Sequence, residues 1–482
     1  MLEIGKRLEP LWDDYLVDEE ASDAEIRCHQ PVNHGVVMTF DKPWEGDGCN
    51  YNNLVIEPDG LMRMYYLGWE MISADKKKHT HDIVVCYAES RDGIHWERPN
   101  LGLCEFEGSK DNNILLDKSF DGGFDNFFVF RDPKPGVPAD ELYKALYARP
   151  AHDGLEHALC CALSADGLHW RHGWVVTTEG MFDTLNTACY DVSADIYRVY
   201  LRGFHHENEE LGLNEKIRDI RFCESKDFRS FTSPKLLDFR GKDDYPLYTN
   251  VITPYYRAPH IFTGFPSRYV ERSAWSDAFE QIPGAEARRM RCDIHPRYGL
   301  AVTDCVFMSS RDGITWDRAD EAFIRPGPEN GLNWIYGDGY PVLGQFEVPG
   351  VMPGEEPRLA ILMSSIGHWS MKPAGMGLYT IRRDGFISRH AGYRERTVTT
   401  KPFLLRADEI YLNLSTSARG YVTVEVLDRN GFPITGLSSE EYFGDSTDRR
   451  IHFSGDLSRL NGNVVRLRLR MRDADVYAIR FA

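Results

Sequence analysis

Apolar residues in this chain come in short runs, each cut by Gly, Pro, Asp or Asn. Examples are "LVIEPDGLMRMYYLGW" (54–69), "IVVCYAE" (83–89), "FFVFRDPKPGVPADELYKALYA" (127–148), "TACYDVSADIYRVYLRGF" (187–204), "VITPYYRAPHIFTGF" (251–265) and "YPVLGQFEVPGVMPGEEPRLAILMSS" (340–365). Aromatic and β-branched residues dominate the runs, and long stretches of helical period are nearly absent. This pattern predicts strands joined by tight turns. One turn recurs: "SRDGIHW" (90–96), "SADGLHW" (164–170) and "SRDGITW" (310–316), then more loosely "SKDFRSF" (225–231) and "RRDGFIS" (382–388). Its aspartates, Asp92, Asp166, Asp227, Asp312 and Asp384, lie 61 to 85 residues apart. Each turn follows two or three strand-like runs. A unit of three to four antiparallel strands repeated five times predicts a five-bladed β-propeller. Asp-Gly supplies the positive φ of a tight hairpin, and the Trp after it packs between neighbouring sheets, a structural role.

Beyond about residue 395 the turn disappears. "PFLLRADEIYLNLSTSARGYVTVEVLDRNGFPITGL" and "VVRLRLRMRDADVYAIRFA" alternate polar and apolar residues with period two, as a half-exposed sheet does. The expected fold class is all-β, with a propeller over 1–395 and a small β-sandwich over 396–482 that packs against it.

At 482 residues and 42% hydrophobic content the chain exceeds one ordinary domain and can bury a large core. Lys plus Arg is 56 and Asp plus Glu is 74, a net charge of −18. Such a surface repels phosphate backbones and anionic membranes, so neither nucleic acid nor a membrane is an expected partner. The opening "MLEIGKRLEP" lacks a basic segment followed by an apolar run, and no run reaches the ~20 apolar residues of a membrane helix. The ten cysteines are scattered without a CxxC pair, which reads as free thiols in a reducing, cytoplasmic setting. A homo-oligomer is compatible with all of this.

Four segments carry a family resemblance: "DKPWEGDGCNY" (41–51), "YAESRDGIHWERPNLGL" (87–103), "YTNVITPYYRAPHIFTGFPSRYVER" (248–272) and "MRDADVYAIRFA" (471–482). They resemble a bacterial family of five-bladed propellers similar to glycoside hydrolases of families 32 and 43, the invertase and arabinanase type, with a C-terminal β-sandwich. The resemblance spans nearly the whole chain. It implies a carbohydrate pocket at one end of the propeller axis, no required cofactor, and room for an axial calcium ion that nothing in the sequence demands. "FRDPK" (130–134) looks like the Arg-Asp-Pro motif of invertase-like enzymes. It follows the strand "FFVF" and precedes a turn, so Asp132 reads as a hairpin residue. The Asn-Asp-Pro expected near the start of that pattern is missing.

In such propellers the first strand of each blade lines the axis, so the segments leading into those strands converge. They are "PWEGDGCNYNN" with Glu45 and Asp47, "FDGGFDNF" with Asp121 and Asp125, "EGMFDTLNT" with Glu179 and Asp183, "DDYPLYTN" with Tyr248 and Asn250, and "NWIYGDGYP" with Asp338. Glycoside cleavage needs two carboxyl groups across the bond, one protonating the leaving oxygen and the other attacking or activating water. The candidate set is Asp47 as base or nucleophile, Asp125 as orienter and modulator, Asp183 as acid, with Glu45 and Asp338 in reserve. Each aspartate could instead simply cap a turn. Trp44, Trp334 and Tyr336 are candidate stacking platforms or core filling. Asn250, Arg257, His260 and Arg268 are candidate sugar ligands. Seven arginines between 257 and 297 (257, 268, 272, 288, 289, 291 and 297) stand out in an acidic chain, suggesting either an anionic sugar or internal ion pairs. "HTHD" (79–82) and "FHHENEE" (204–210) read as solvated loops rather than metal sites. No Walker loop, GxGxxG or GxSxG occurs. The expected activity is an exo-acting glycosidase on small oligosaccharides. The alternatives are a sialidase-like enzyme, since the turn resembles the sialidase Asp box, and a non-catalytic sugar-binding propeller.

Overall fold

The computed structural model describes residues 1–70, 81–151, 154–206, 216–370 and 372–482. Five antiparallel sheets follow one another along the chain. Blade I is Asn53–Ile56, Met62–Gly68, Val84–Ser90 and Ile114–Leu116; blade II is Phe127–Arg131, Tyr143–Arg149, Ala158–Ser164 and Arg171–Thr177. Blade III is Thr187–Asp191, Ile196–His206, Lys216–Ser225 and Lys235–Leu236; blade IV is Thr253–Tyr255, Ala258–Gly264, Met308–Ser310 and Asp317–Arg318. Blade V takes Tyr340–Pro341, Arg358–Ile366 and Gly375–Ile381, and completes itself with Val32–Thr39 from the start of the chain. That borrowed outer strand closes the ring by hydrogen bonds and leaves no open blade.

Buried asparagines bind the innermost strands to one another. Asn53 of blade I donates to the Val129 carbonyl (2.6 Å) and accepts from its N–H (3.2 Å) in blade II. Asn126 Nδ2 donates to the Phe182 carbonyl ahead of blade III. Asn250 donates to the Leu185 carbonyl (3.0 Å) and accepts from Thr187 Oγ1 (2.9 Å). Both amide ends of Asn250 are therefore used between blades III and IV, which corrects its expected role as a sugar ligand.

The recurrent turn is a self-contained cage. Asp92 Oδ1 accepts the N–H groups of Ile94 and His95 (both 2.8 Å), Ser90 Oγ accepts the Gly93 N–H (2.8 Å), and Trp96 Nε1 donates to the Gly93 carbonyl (3.0 Å). Residues 164–170 repeat every one of these bonds. The cage also docks on the preceding blade. Tyr65 Oη donates to the Gly167 carbonyl (3.1 Å), and Tyr200 Oη to the Gly313 carbonyl (3.0 Å). Where the sequence loosens, the left-handed position survives on another residue, Phe228 (φ 59°) or Asp384 (φ 59°), and Asp384 still accepts from Tyr255 Oη of the preceding blade (2.7 Å). Gly313 has φ +70°, and a Cβ there would sit 2.6 Å from Tyr200 Oη. Gly313→Ala is expected to cost about 1–3 kcal/mol in urea unfolding, with the left-handed backbone as the main cause.

The sandwich is one continuous sheet whose two long strands, Ile410–Asp428 and Val464–Phe481, pair along their length with a register shift between Thr416 and Tyr421. Leu2–Glu3, Leu8–Pro10, Glu25–Cys28 and Ile387–Ala391 pair into the same sheet. The sandwich sheet therefore extends past the expected boundary at residue 395, taking strands from the start of the chain and from residues 387–391. Between the N-terminal strands Trp12, 4% exposed, enters the propeller core against Tyr255, Phe307 and Phe386. Around this junction Arg311 pairs with Glu9 (2.9 Å) and Asp13 (2.6 Å), His260 lies 3.3 Å from Glu9, and Arg257 pairs with Asp384 (2.9 Å). Arg257 and His260 thus serve the contact between propeller and sandwich, correcting their assignment to a sugar pocket.

Blade IV carries an insertion that strand periodicity did not reveal. A hairpin, Ser267–Glu271 with Ala301–Cys305, frames three helices: α1 (Asp277–Gln281), α2 (Ala285–Ile294) and α3 (Pro296–Leu300). "AEARRMRCDI" in α2 is rich in strong helix formers, a signal available in the sequence. Arg268 grips Asp304 across the hairpin with two bonds of 2.7 and 2.5 Å, so this arginine is a hairpin clamp and not a substrate ligand.

Candidate active site

The five segments leading into the innermost strands do converge, and a cavity of about 230 Å³ lies where they meet. Blade I contributes Asn50 and Tyr51, blade II Asp125, blade III Asp183, blade IV Tyr248 and blade V Tyr336. Trp69 follows the second strand of blade I, and His368 and Trp369 follow that of blade V. Arg297 and Tyr298 reach the cavity from α3. Of the sequence candidates, Asp125, Asp183, Tyr248 and Tyr336 line this space, together with Arg297 of the arginine-rich stretch.

Asp183 is held by a bond from Arg202 Nη2, whose side chain is buried on the second strand of blade III. Tyr51 and Tyr248 face each other with hydroxyl oxygens 3.1 Å apart. Burial pushes the Tyr51 and Tyr336 hydroxyls well above their ordinary range, so both stay neutral. The aromatic walls interlock: Trp69 meets Trp369 edge-on at 5.8 Å, Tyr298 meets Trp369 at 4.8 Å, and Tyr298 stacks parallel to Tyr336 at 6.2 Å. Tyr51 and Trp369 both take left-handed backbone (φ 53° each), a strain that surrounding contacts must hold in place. For Trp369 those contacts are its N–H to the Asp47 carbonyl (3.0 Å) and its carbonyl to Arg291 Nε (2.7 Å).

His368 stacks on Trp369 at 4.4 Å, and burial together with Arg291 lowers its pKa to about 3, leaving a neutral imidazole. Among the described residues, Asn50 Oδ1, His368 Nδ1 and Trp369 Nε1 are buried without a hydrogen-bond partner. Buried polar atoms are almost always satisfied, so an aromatic cavity edged by three such atoms suits a ligand rich in hydroxyl groups.

The remaining candidates lie elsewhere. Asp47 is buried one layer behind the wall, beneath Trp369. Glu45 is fully buried and takes Arg98 (2.8 and 3.1 Å), Tyr66 Oη (2.6 Å) and the Lys42 N–H (2.9 Å). Its acceptor capacity is spent on the loop, so it is no reserve catalyst. Trp44 bonds Asn113 (2.8 Å) and packs in the core of blades I and V. Trp334 donates to the Gly327 carbonyl (2.9 Å). Asp338 edges a separate cavity of about 70 Å³ beside Asn330, Asn333 and Tyr379. Asp132 binds Lys144 (2.5 Å) and Tyr197 (2.7 Å) beside its hairpin, as the sequence indicates. His79 of "HTHD" and residues 207–210 of "FHHENEE" fall outside the described residues. Trp69, His368 and Trp369 had no signal in the sequence, since each occupies a loop whose facing depends on its neighbours; Tyr51 lies in the blade I lead-in, whose candidates are Trp44, Glu45 and Asp47.

Burial raises the Asp338 carboxyl from 3.8 to about 7, against bonds from the Ile335 and Trp334 N–H groups and the charges of Arg291 and Arg288. The folded state then binds a proton more tightly than the unfolded one. That contribution to stability is full below pH ~4 and lost as pH rises through ~7. Urea midpoints at pH 5 and 8 should therefore fall further for the parent chain than for Asp338→Asn.

Among the described residues no three His, Cys, Asp or Glu side chains gather as a metal site would. No helix among the described residues is long and apolar enough to cross a membrane.

No family model matches the chain. An uncharacterized protein of Mycobacterium tuberculosis is 34% identical over 121 residues, which is 24% of this chain and 32% of that protein. The match therefore spans about a third of that relative's length. Among solved structures, the chain is similar to a glycoside hydrolase family 43 arabinoxylan arabinofuranohydrolase from Bacillus subtilis in complex with cellotetraose (TM-score 0.41, 10% identity, 93% of this chain and 99% of that one). It is also similar to a glycosyl hydrolase from Bacteroides ovatus (TM-score 0.40, 13% identity, 77% and 96%). A third is an N-acetylgalactosamine deacetylase from F. plautii in complex with blood group B trisaccharide (TM-score 0.39, 11% identity, 94% and 95%). These likenesses assign no residue a role; the five-bladed ring rests on the strand pairing described above.

Proposed function

We propose that the chain is a glycoside hydrolase acting at the axial cavity, with Asp125 and Asp183 as its carboxyl pair. The observation that carries this reading is that adjacent blades deliver both carboxyl groups to one aromatic-walled cavity edged by unsatisfied polar atoms. Asp183, anchored by the Arg202 guanidinium, attacks the anomeric carbon or takes a proton from the water that does. Asp125 protonates the departing glycosidic oxygen. Water supplies the hydroxyl of one product and the proton of the other, so the pair returns to its starting state. Relative to the sequence expectation, the acid role moves from Asp183 to Asp125, and Asp47 becomes a positioning residue for Trp369. Trp69, Trp369 and Tyr298 supply faces on which a pyranose or furanose ring can stack. A panel of aryl glycosides and small plant or algal oligosaccharides tests the reading. Release of reducing sugar from at least one member is expected. Binding without release across the panel would favour the non-catalytic propeller.

A further inference from the structure

In a chain of net charge −18, Arg297 lines the cavity and two further arginines, Arg202 and Arg218, lie against its lining residue Tyr248. Arg297 lines the cavity with its guanidinium 4.8 Å over the Tyr298 ring, and its ionisable neighbours are the tyrosines 336, 269 and 298. Arg218 lies 4.0 Å over Tyr269 and 5.9 Å from Tyr248. Arg202 lies 5.2 Å from the same Tyr248 ring. Three guanidinium groups thus lie against three tyrosines, 248, 269 and 298, and only Arg202 has a carboxylate, Asp183, within ion-pair distance among the described residues. Glu271 touches the group only through Tyr269 Oη (3.2 Å). Arg202 Nε and Arg218 Nε are, moreover, buried without a hydrogen-bond partner among the described residues. Buried or half-buried cations are ordinarily paired, because an uncompensated charge out of water is costly. Elsewhere Arg98, Arg257, Arg268 and Arg311 are paired with carboxylates, whereas the buried Arg288 and Arg291 of α2 are held by backbone carbonyls of Phe279, Trp334 and Trp369.

We propose that the cavity takes a sugar residue bearing a carboxylate, which Arg297 and Arg218 bind beside the Asp125–Asp183 pair. The planar guanidinium fork matches a carboxylate in two-bond geometry, while tyrosine rings beneath Arg297 and Arg218 hold them extended. Asp183 neutralises Arg202, leaving the other two for the ligand. The proposal names the substrate class for the reading above and rests on it for turnover, though not for binding.

The experiment separates the two. Free glucuronate, galacturonate and a 2-ulosonate (carboxylate on the anomeric carbon) are titrated calorimetrically into the full chain, beside glucose, galactose and galactose 6-sulfate. At least one carboxylate sugar is expected to bind about 10- to 100-fold more tightly than its neutral counterpart. Arg297→Gln and Arg218→Gln are each expected to erase that preference while circular dichroism and the urea midpoint show the fold retained. Uronate against ulosonate tells which carboxylate position is read. Equal binding of neutral and carboxylate sugars, preference for the sulfate, or a preference that survives both substitutions would overturn the proposal. Should a variant fail to fold, the parent chain's binding of galacturonate against its methyl ester decides: equal affinity overturns the idea. Binding with the expected preference but no hydrolysis of any aryl uronide, ulosonide or neutral glycoside would leave this inference standing and remove the glycosidase reading alone.

Discussion

Asp183→Asn is expected to reduce kcat/KM on the best aryl glycoside by about 10²–10⁴-fold, with Asp125→Asn falling in the same range. The amide introduced by Asp183→Asn keeps the shape and an oxygen for Arg202, so the fold and the cavity wall persist. What disappears is the charge that attacks or deprotonates. The amide introduced by Asp125→Asn retains a hydrogen-bond donor but has no proton to give at an ordinary pKa. The two variants should therefore separate by leaving group. A glycoside whose aglycone departs readily without protonation recovers much of its rate in Asp125→Asn and none in Asp183→Asn. Asp47→Asn provides the contrast. Its contact with Trp369 runs through the backbone carbonyl, which substitution leaves in place, so its loss should be much smaller. Equal collapse of all three variants, or undiminished turnover in Asp183→Asn, would refute the assignment of the pair.

The largest effect on stability is expected from Trp12→Ala, about 3–5 kcal/mol in urea unfolding. Trp12 is 4% exposed and meets Tyr255, Phe307 and Phe386 at 5.0 to 5.5 Å, while its Nε1 donates to the Asp384 carbonyl at 3.0 Å. Removing it opens a void at the base of blades IV and V and strands a buried carbonyl. Because residues 8–10 pair with the strand 464–481, the segment bearing Trp12 ties sandwich to propeller. Trp12→Phe should recover most of the packing but not the hydrogen bond. If Trp12→Ala shifts the urea midpoint no more than an exposed control such as Phe432→Ala, the N-terminal segment is not the tie described.

Much of the fold can be read along the chain because it is written locally. In all three Ser-x-Asp-Gly-x-x-Trp turns the Ser and Asp side chains close the backbone N–H bonds, and in two of them the Trp adds its own, so a few residues suffice to specify the turn. Repetition at blade spacing then specifies the ring, and period-two alternation specifies the sandwich strands. The convergence of the five lead-in segments was legible for the same reason: once the strand order repeats, their positions are equivalent.

Which side chains face the cavity was decided in three dimensions. Glu45 and Asp125 are both acids in lead-in segments, yet one is consumed by Arg98 and Tyr66 while the other reaches the cavity. Asn250 is spent between two blades. The wall residues Trp69, His368 and Trp369 follow the second strands of their blades, and Arg297 comes from a helical insertion. The ring also closes through residues 32–39, and the sandwich recruits residues 2–10. Pairings across more than three hundred residues leave no mark in a local pattern. The sequence alone determined the turn, the repeat and the class of chemistry its acids can perform. The tertiary structure decided the partners, because burial and pairing set which charge is neutralised within the protein and which remains for a ligand.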